Sequence, residues 1–91
     1  MSASEPAFKS AAAVNTVPVT FTGLRAGIYP THLHSRCSGS ASFHITVLQT
    51  LVVGANGAGT IQVPSSYFGR GLCVIVYSGS SLTKVVAARA V

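Results

Sequence analysis

The chain has 91 residues, 48% of them hydrophobic and only 8% charged, so it reads as one small folded domain rather than a disordered polymer, which would be polar and highly charged. Six lysines and arginines face a single acidic residue, Glu5, for a net charge of +5. Paired-carboxylate hydrolysis, aspartate-supported triads, calcium sites and magnesium-dependent phosphoryl transfer all need carboxylates, and this composition excludes them.

The cations stand singly at Lys9, Arg25, Arg36, Arg70, Lys84 and Arg89, without a basic cluster, and aromatics are few. Nucleic-acid binding is therefore not expected. So small a domain with so little charge must leave apolar surface exposed, which predicts a homodimer or larger assembly. No run reaches the roughly 18 uninterrupted apolar residues of a membrane span. The apolar stretch "AAAVNTVPV" is broken by Asn15 and Pro18. No charged segment followed by an apolar core, the pattern of a secretion signal, stands at the start, so an exported form needs a signal that these residues do not supply.

Residues 1–13 are small and polar and are expected to form a flexible arm or a loose first strand, with a single β-domain over 14–91. From Val14 the period is two: Val17, Val19 and Phe21 alternate with Pro18, Thr20 and Thr22, a half-buried strand. Pro18 cannot donate to a ladder and marks one side of that strand as an edge. The segment "GLRAG" turns into a second strand over 28–34, and residues 35–42 form a Ser/Gly loop. Phe43, Ile45 and Val47 then alternate with His44 and Thr46, in a strand expected to continue towards Val53 with the three hydrophobes in the core. "GANGAG" is a hairpin turn, followed by a strand over 60–63. "PSSYFGRG" holds one helical turn that begins near Pro64. "LCVIVY" is a nearly continuous apolar run, the mark of a central strand, and a last strand spans 82–91. About six or seven short strands at this spacing predict an all-β, antiparallel sandwich or barrel.

All three histidines of the chain, and one of its two cysteines, lie within "YPTHLHSRCSGSASFHI". His32 and His34 are two apart on a predicted strand, so both leave the same face, about 7 Å apart along the chain. Tyr29, Thr31 and Leu33 take the other face. If Phe43, Ile45 and Val47 point inward, His44 points outward and can join the pair once the strands are neighbours. Histidine is the commonest side-chain metal ligand, and three nitrogens with an open fourth position suit copper(II) or a zinc site of the catalytic kind. The competing reading is a polar rim of incidental histidines on an exposed sheet edge. Cys37 and Cys73 form an even pair, naturally read as a disulfide and hence an oxidising compartment. Two alternatives stand beside it: two free thiols, or a Cys37 thiolate ligand of the blue-copper type. That last geometry usually adds an axial methionine, and Met1 is the chain's only one.

These residues carry a resemblance. "GLRAGIYPTHLHSRC" is similar to the Gly-Leu-x-x-Gly…His-x-His segment of copper/zinc superoxide dismutases, and closer to small exported domains of that type with a "TYPAHIH…C" pattern. "GLCVIVYS" resembles the dismutase strand that normally ends in a copper-ligand histidine. The two segments cover about a third of the chain. The resemblance implies a Greek-key superoxide-dismutase-like barrel, shortened at its N-terminus, with an open edge that a second subunit covers. His32 and His34 match the two copper ligands of the His-x-His strand, and His44 stands in for a third at a shorter spacing than the family's. Tyr77 occupies the place of the strand-ending histidine and is a further candidate ligand; a register set by Gly69 and Arg70 puts Ile75 there instead. The zinc-site histidines and aspartate have no counterpart. Cys37 matches the family's loop cysteine, whereas Cys73 lies mid-strand, away from the family position near the C-terminus. Arg89 is a faint match to the active-site arginine, and Arg36 and Arg70 are nearer candidates for guiding an anion. The resemblance thus implies an exported copper- or zinc-binding domain using His32, His34 and His44. A bridged zinc arrangement cannot be built from these residues, so full dismutase activity is not expected, and residual superoxide dismutation or a non-catalytic interaction module are the alternatives.

Overall fold

A computed structural model describes residues 15–91. The expected arm at 1–13 lies outside the described residues. Eight strands follow in order: β1 (Thr16–Phe21), β2 (Gly27–Tyr29), β3 (Thr31–His34), β4 (His44–Val47), β5 (Leu51–Val53), β6 (Gly59–Pro64), β7 (Cys73–Tyr77) and β8 (Val85–Ala90). Short 3₁₀ turns at Ala41–Phe43 and Ser65–Tyr67 are the helical elements among the described residues. All pairings are antiparallel: β1 with β6, β2 with β5, and a four-stranded sheet in the order β4-β3-β7-β8. The all-β, antiparallel expectation is met.

The predicted strand over 28–34 divides at Pro30. A proline has no N–H to give to a ladder, and here the chain changes sheet across it, β2 pairing with β5 and β3 with β7. The Pro30 carbonyl still accepts from the Tyr77 amide at 2.9 Å, which keeps the break tied to the central strand. The strand expected to run through to Val53 is likewise interrupted over 48–50, where Leu48 N–H bonds to the Thr31 carbonyl at 2.9 Å and the Thr31 hydroxyl to the Gln49 carbonyl. Those two bonds account for a fully buried threonine. At the end of the chain the last strand begins at Val85 instead of Leu82; Leu82 sits in a turn at φ 56°, a region few leucines adopt.

The core is drawn from one face of every sheet: Val19 and Phe21 from β1, Tyr29 from β2, Leu33 from β3, Leu51 and Val53 from β5, Ile61 and Val63 from β6, Val74 and Val76 from β7. Close approach of β5 and β6 requires Gly59, because a Cβ there would run into the Val52 carbonyl. The "GANGAG" hairpin closes through Gly57 N–H to the Gly54 carbonyl at 3.0 Å, with Gly57 at φ 80°, open to glycine at little cost. Strand β7 is buried along its whole length. Val74 and Val76 enter the main core, while Cys73, Ile75 and Tyr77 form a second buried row on the opposite face. That row is the floor of the histidine cluster.

Phe43, Ile45 and Val47 are not core residues. Ile45 is 47% and Val47 65% exposed, and Phe43 sits in the 3₁₀ turn, half-buried. The four-stranded sheet keeps its apolar inner face through Leu33, Val74 and Val76, and β4, its edge strand, adds no buried residue to it. Loss of the Leu33 side chain should therefore cost about 2–5 kcal/mol, whereas Val47→Ala should change stability by no more than about 0.5 kcal/mol. Equilibrium denaturation of the two variants measures both. Similar losses would restore Val47 to the core.

Candidate metal centre

The site is built by sheet register. On β3, His32 lies opposite Ile75 and His34 opposite Cys73 of β7, so both imidazoles stand over the second buried row. On the other side of β3, His32 faces Val47 and Leu33 faces Thr46, and a regular ladder would next place Ile45 opposite His34. It does not. The register shifts between Leu33 and His34, and His44 becomes the partner of His34. An extra residue in one strand re-aims the side chain that follows it, and this bulge turns His44 onto the histidine face. Strict alternation from an inward Val47 brings the right residue to the cluster for the wrong reason, since Val47 is on the histidine side and exposed.

The three rings are mutual neighbours. Ring centroids lie 4.7 Å apart for His32–His44, 5.6 Å for His34–His44 and 6.1 Å for His32–His34. One nitrogen from each falls within 4.8 Å of the other two. With metal–nitrogen bonds of about 2.0–2.1 Å, two ligands of a tetrahedral ion stand about 3.4 Å apart. A small contraction thus separates the cluster from a bound geometry. His44 is exposed and His32 half-buried, so both rings can turn; His34 is fully buried.

His34 is also the ring whose protons are assigned by its surroundings. Its Nδ1 lies 2.7 Å from the Ser38 carbonyl, which can only accept, so Nδ1 carries the hydrogen. In the neutral ring Nε2 is then a bare lone pair. Its near neighbour is the Tyr77 hydroxyl at 3.4 Å, but that O–H has a closer acceptor in the Gly39 carbonyl at 3.0 Å. A histidine held by a backbone carbonyl at one nitrogen, with the other nitrogen free, is the arrangement that orients a metal ligand. Burial raises the Tyr77 pKa and keeps the phenol protonated. In that state Tyr77 frames the site, and its ring stands 5.2 Å from that of His32.

The loop over 35–40 supplies both carbonyls and is fixed by the Cys37–Cys73 disulfide, Cα to Cα 5.1 Å. The cysteines are therefore bonded to one another, which removes the free-thiol and thiolate-ligand alternatives. Gly39 leaves no room for a side chain: a Cβ there would strike Val85. The cluster opens into a cavity of about 320 Å³ lined by His32, His34, His44, Tyr77, Gly39, Ala41 and Leu82. Ser38, Gly39, Ala41 and Leu82 were not legible as site residues. The Ser/Gly composition of the loop was the one hint for the first two, and nothing in the sequence pointed to Leu82.

The expected anion guides are not brought in. Neither Arg36 nor Arg70 lines the cavity; the Arg36 guanidinium lies over the Phe43 ring, 5.5 Å from its centroid. Arg89 pairs with Val74 and is on the opposite face of the sheet, where it donates to the Thr20 carbonyl and covers the Phe21 ring at 5.4 Å. No helix among the described residues is long and apolar enough to cross a membrane, and the disulfide is compatible with an extracellular or periplasmic setting. In comparisons with known proteins, no family model, no curated protein and no solved structure matches the chain. The chemistry of the centre must be read from its own atoms.

The pKa of His32 is lowered from the ordinary 6.5, first by burial and then by the charges His44 and His34 would carry. The unfolded chain therefore takes up a proton at a pH where folded His32 is still neutral. Its contribution to stability is complete above about pH 6.5 and is lost as the pH falls from there through the lowered folded value. Denaturation of the metal-free protein from pH 8 to pH 5 should show stability falling below about 6.5, with a shallower fall in His32→Gln. The same slope in both would remove His32 as the cause.

Proposed function

We propose that this domain binds one copper or zinc ion through His32, His34 and His44. The observation that carries this is the gathering of three imidazoles, one nitrogen of each within 4.8 Å of the others, around a fully buried His34 whose Nδ1–H is held by the Ser38 carbonyl and whose Nε2 has a long, 3.4 Å contact to the Tyr77 hydroxyl. A buried ring nitrogen whose nearest donor is that distant, and has a closer acceptor of its own, is poorly satisfied and gains from an electrophile. Three neutral imidazoles with a cavity beyond them fit a copper(II) or zinc ion with an open position. Such an ion would act there as a Lewis acid, and copper could also change oxidation state. The chain's own residues hold the ligands: Ser38 orients His34, the disulfide holds the loop, and Ile75 and Tyr77 floor the site.

The resemblance to superoxide-dismutase-like domains, with a Greek-key barrel and export from the cytoplasm, belongs to this reading. His32 and His34 are its matching ligands. Turnover of superoxide is not part of it, because among the described residues no arginine or lysine lines the cavity. The reading is one of metal binding. The second reading is an assembly module whose histidines are incidental. It is favoured by the cross-strand pair Ile28 and Val52, 70% and 62% exposed, and by Ile45 and Val47 on β4, an edge strand among the described residues, both apolar features suited to a homodimer.

Calorimetric titration of the untagged protein with copper(II) and zinc at pH 7.5 separates the two. One ion per chain is expected, and His44→Ala, at an exposed position, should weaken binding by more than the roughly 10–100-fold that loss of an outer partner of a ligand costs. Substoichiometric uptake, or unchanged affinity in His44→Ala and in His32→Ala, would leave the assembly module standing. Reduction of Cys37–Cys73 frees the loop that carries the Ser38 carbonyl and should weaken binding about 10–100-fold while the sheet stays folded by circular dichroism. Equal affinity with and without reductant would show that the loop does not position His34.

A further inference from the structure

A second cleft, of about 660 Å³, is lined by Gly23, Leu24, Arg25, Tyr29, Ser78, Lys84 and Val86. It shares no lining residue with the histidine cavity. Two of the chain's six cationic residues line it from distant parts of the sequence, Arg25 from the turn before β2 and Lys84 from the residue before β8. Each is anchored by a wall of the cleft itself. The Tyr29 hydroxyl donates to the Arg25 carbonyl at 2.6 Å, and the Ser78 amide donates to the Lys84 carbonyl at 3.0 Å. Tyr29 is buried, so the Arg25 turn is fixed to the core, and Ser78 directly follows the central strand.

Among the described residues no acidic side chain answers the charge of the cleft. The chain's one acidic side chain, Glu5, lies outside the described residues, so no described carboxylate side chain offsets either cation. Two like charges lining one concave surface raise the local potential and attract anions. An arginine fork and a lysine point charge on one cleft suit a tetrahedral oxyanion, and Ser78, whose hydroxyl can donate, belongs to the same lining.

From this pairing of cations in one lining we infer that the Arg25–Lys84 cleft is a binding site for a phosphate-type oxyanion, independent of the histidine cluster. The cleft admits a free phosphate or the phosphate group of an ester, with Arg25 and Lys84 as its charged contacts. The test is an amide NMR titration of the whole chain, metal-free, at constant ionic strength, with inorganic phosphate in one arm and glycerol 2-phosphate in the other. Saturable shifts confined to Gly23, Leu24, Arg25, Ser78, Lys84 and Val86 are expected. Arg25→Gln with Lys84→Gln should weaken the apparent affinity about tenfold or more, whereas Arg36→Gln with Arg70→Gln, an equal loss of charge elsewhere, should leave it unchanged. Tighter binding in the second arm assigns an organic phosphate, and equal binding assigns the free ion. Shifts that do not saturate, or that weaken equally in both double variants, would overturn the site.

Discussion

The histidine centre depends on one covalent tie, the bond between Cys37 and Cys73. Cys73 lies directly across from His34 in the sheet, and Cys37 is three residues beyond it along the chain. The bond therefore folds the loop back over the strand end from which His34 projects. Closing 36 residues of sequence separation is worth about 4 kcal/mol in loop entropy alone, a large fraction of what so small a domain has to spare. Two hydrogen bonds then use the loop so held: His34 donates to Ser38 and Tyr77 donates to Gly39. Adjacent carbonyls of one short loop thus set the orientation of a ring on β3 and a ring on β7.

Two local irregularities complete the arrangement. Pro30 lets the chain leave one sheet and enter another, so that β3 can lie between β4 and β7. The bulge opposite His34 then rotates His44 into the cluster and leaves Ile45 without a partner in the ladder. A proline and a bulge each sacrifice ladder bonding locally. Here both fall beside the same strand, β3, and both change which side chains meet its histidine face.

The fold class was legible because it rests on periodicity, which a single sequence carries directly. The alternation of Val17, Val19 and Phe21, the Asn-Gly turn and the apolar run before Tyr77 each name their structure locally. The convergence of His32 and His34 was equally local, being a consequence of two-residue spacing on a strand. The inclusion of His44 depended on register, which no single strand encodes. Assigning Ile45 and Val47 to the core assumed that a hydrophobe on a strand faces inward, and an edge strand in a low-charge domain breaks that assumption. Ser38, Gly39 and Leu82 could not be found because their role comes from backbone carbonyls and turn geometry, not from side-chain type. The sharing of one cleft by Arg25 and Lys84 depends on tertiary closure across most of the chain.

Strand β7 joins these observations, because it is buried on both faces and divides the molecule functionally. Antiparallel strands in small domains usually show one face to water, and here the second face is covered by imidazoles, a disulfide and a loop instead of by another sheet. Val74 and Val76 lock the strand into the core, so Cys73, Ile75 and Tyr77 on the reverse side inherit its rigidity. A site built this way needs few residues of its own. Two of its histidines ride on β3 and the third on β4, its floor lies on β7, and Ser78, just past the end of β7, forms a wall of the cationic cleft. That economy is how 91 residues with almost no acidic side chains can present two polar sites around one apolar strand.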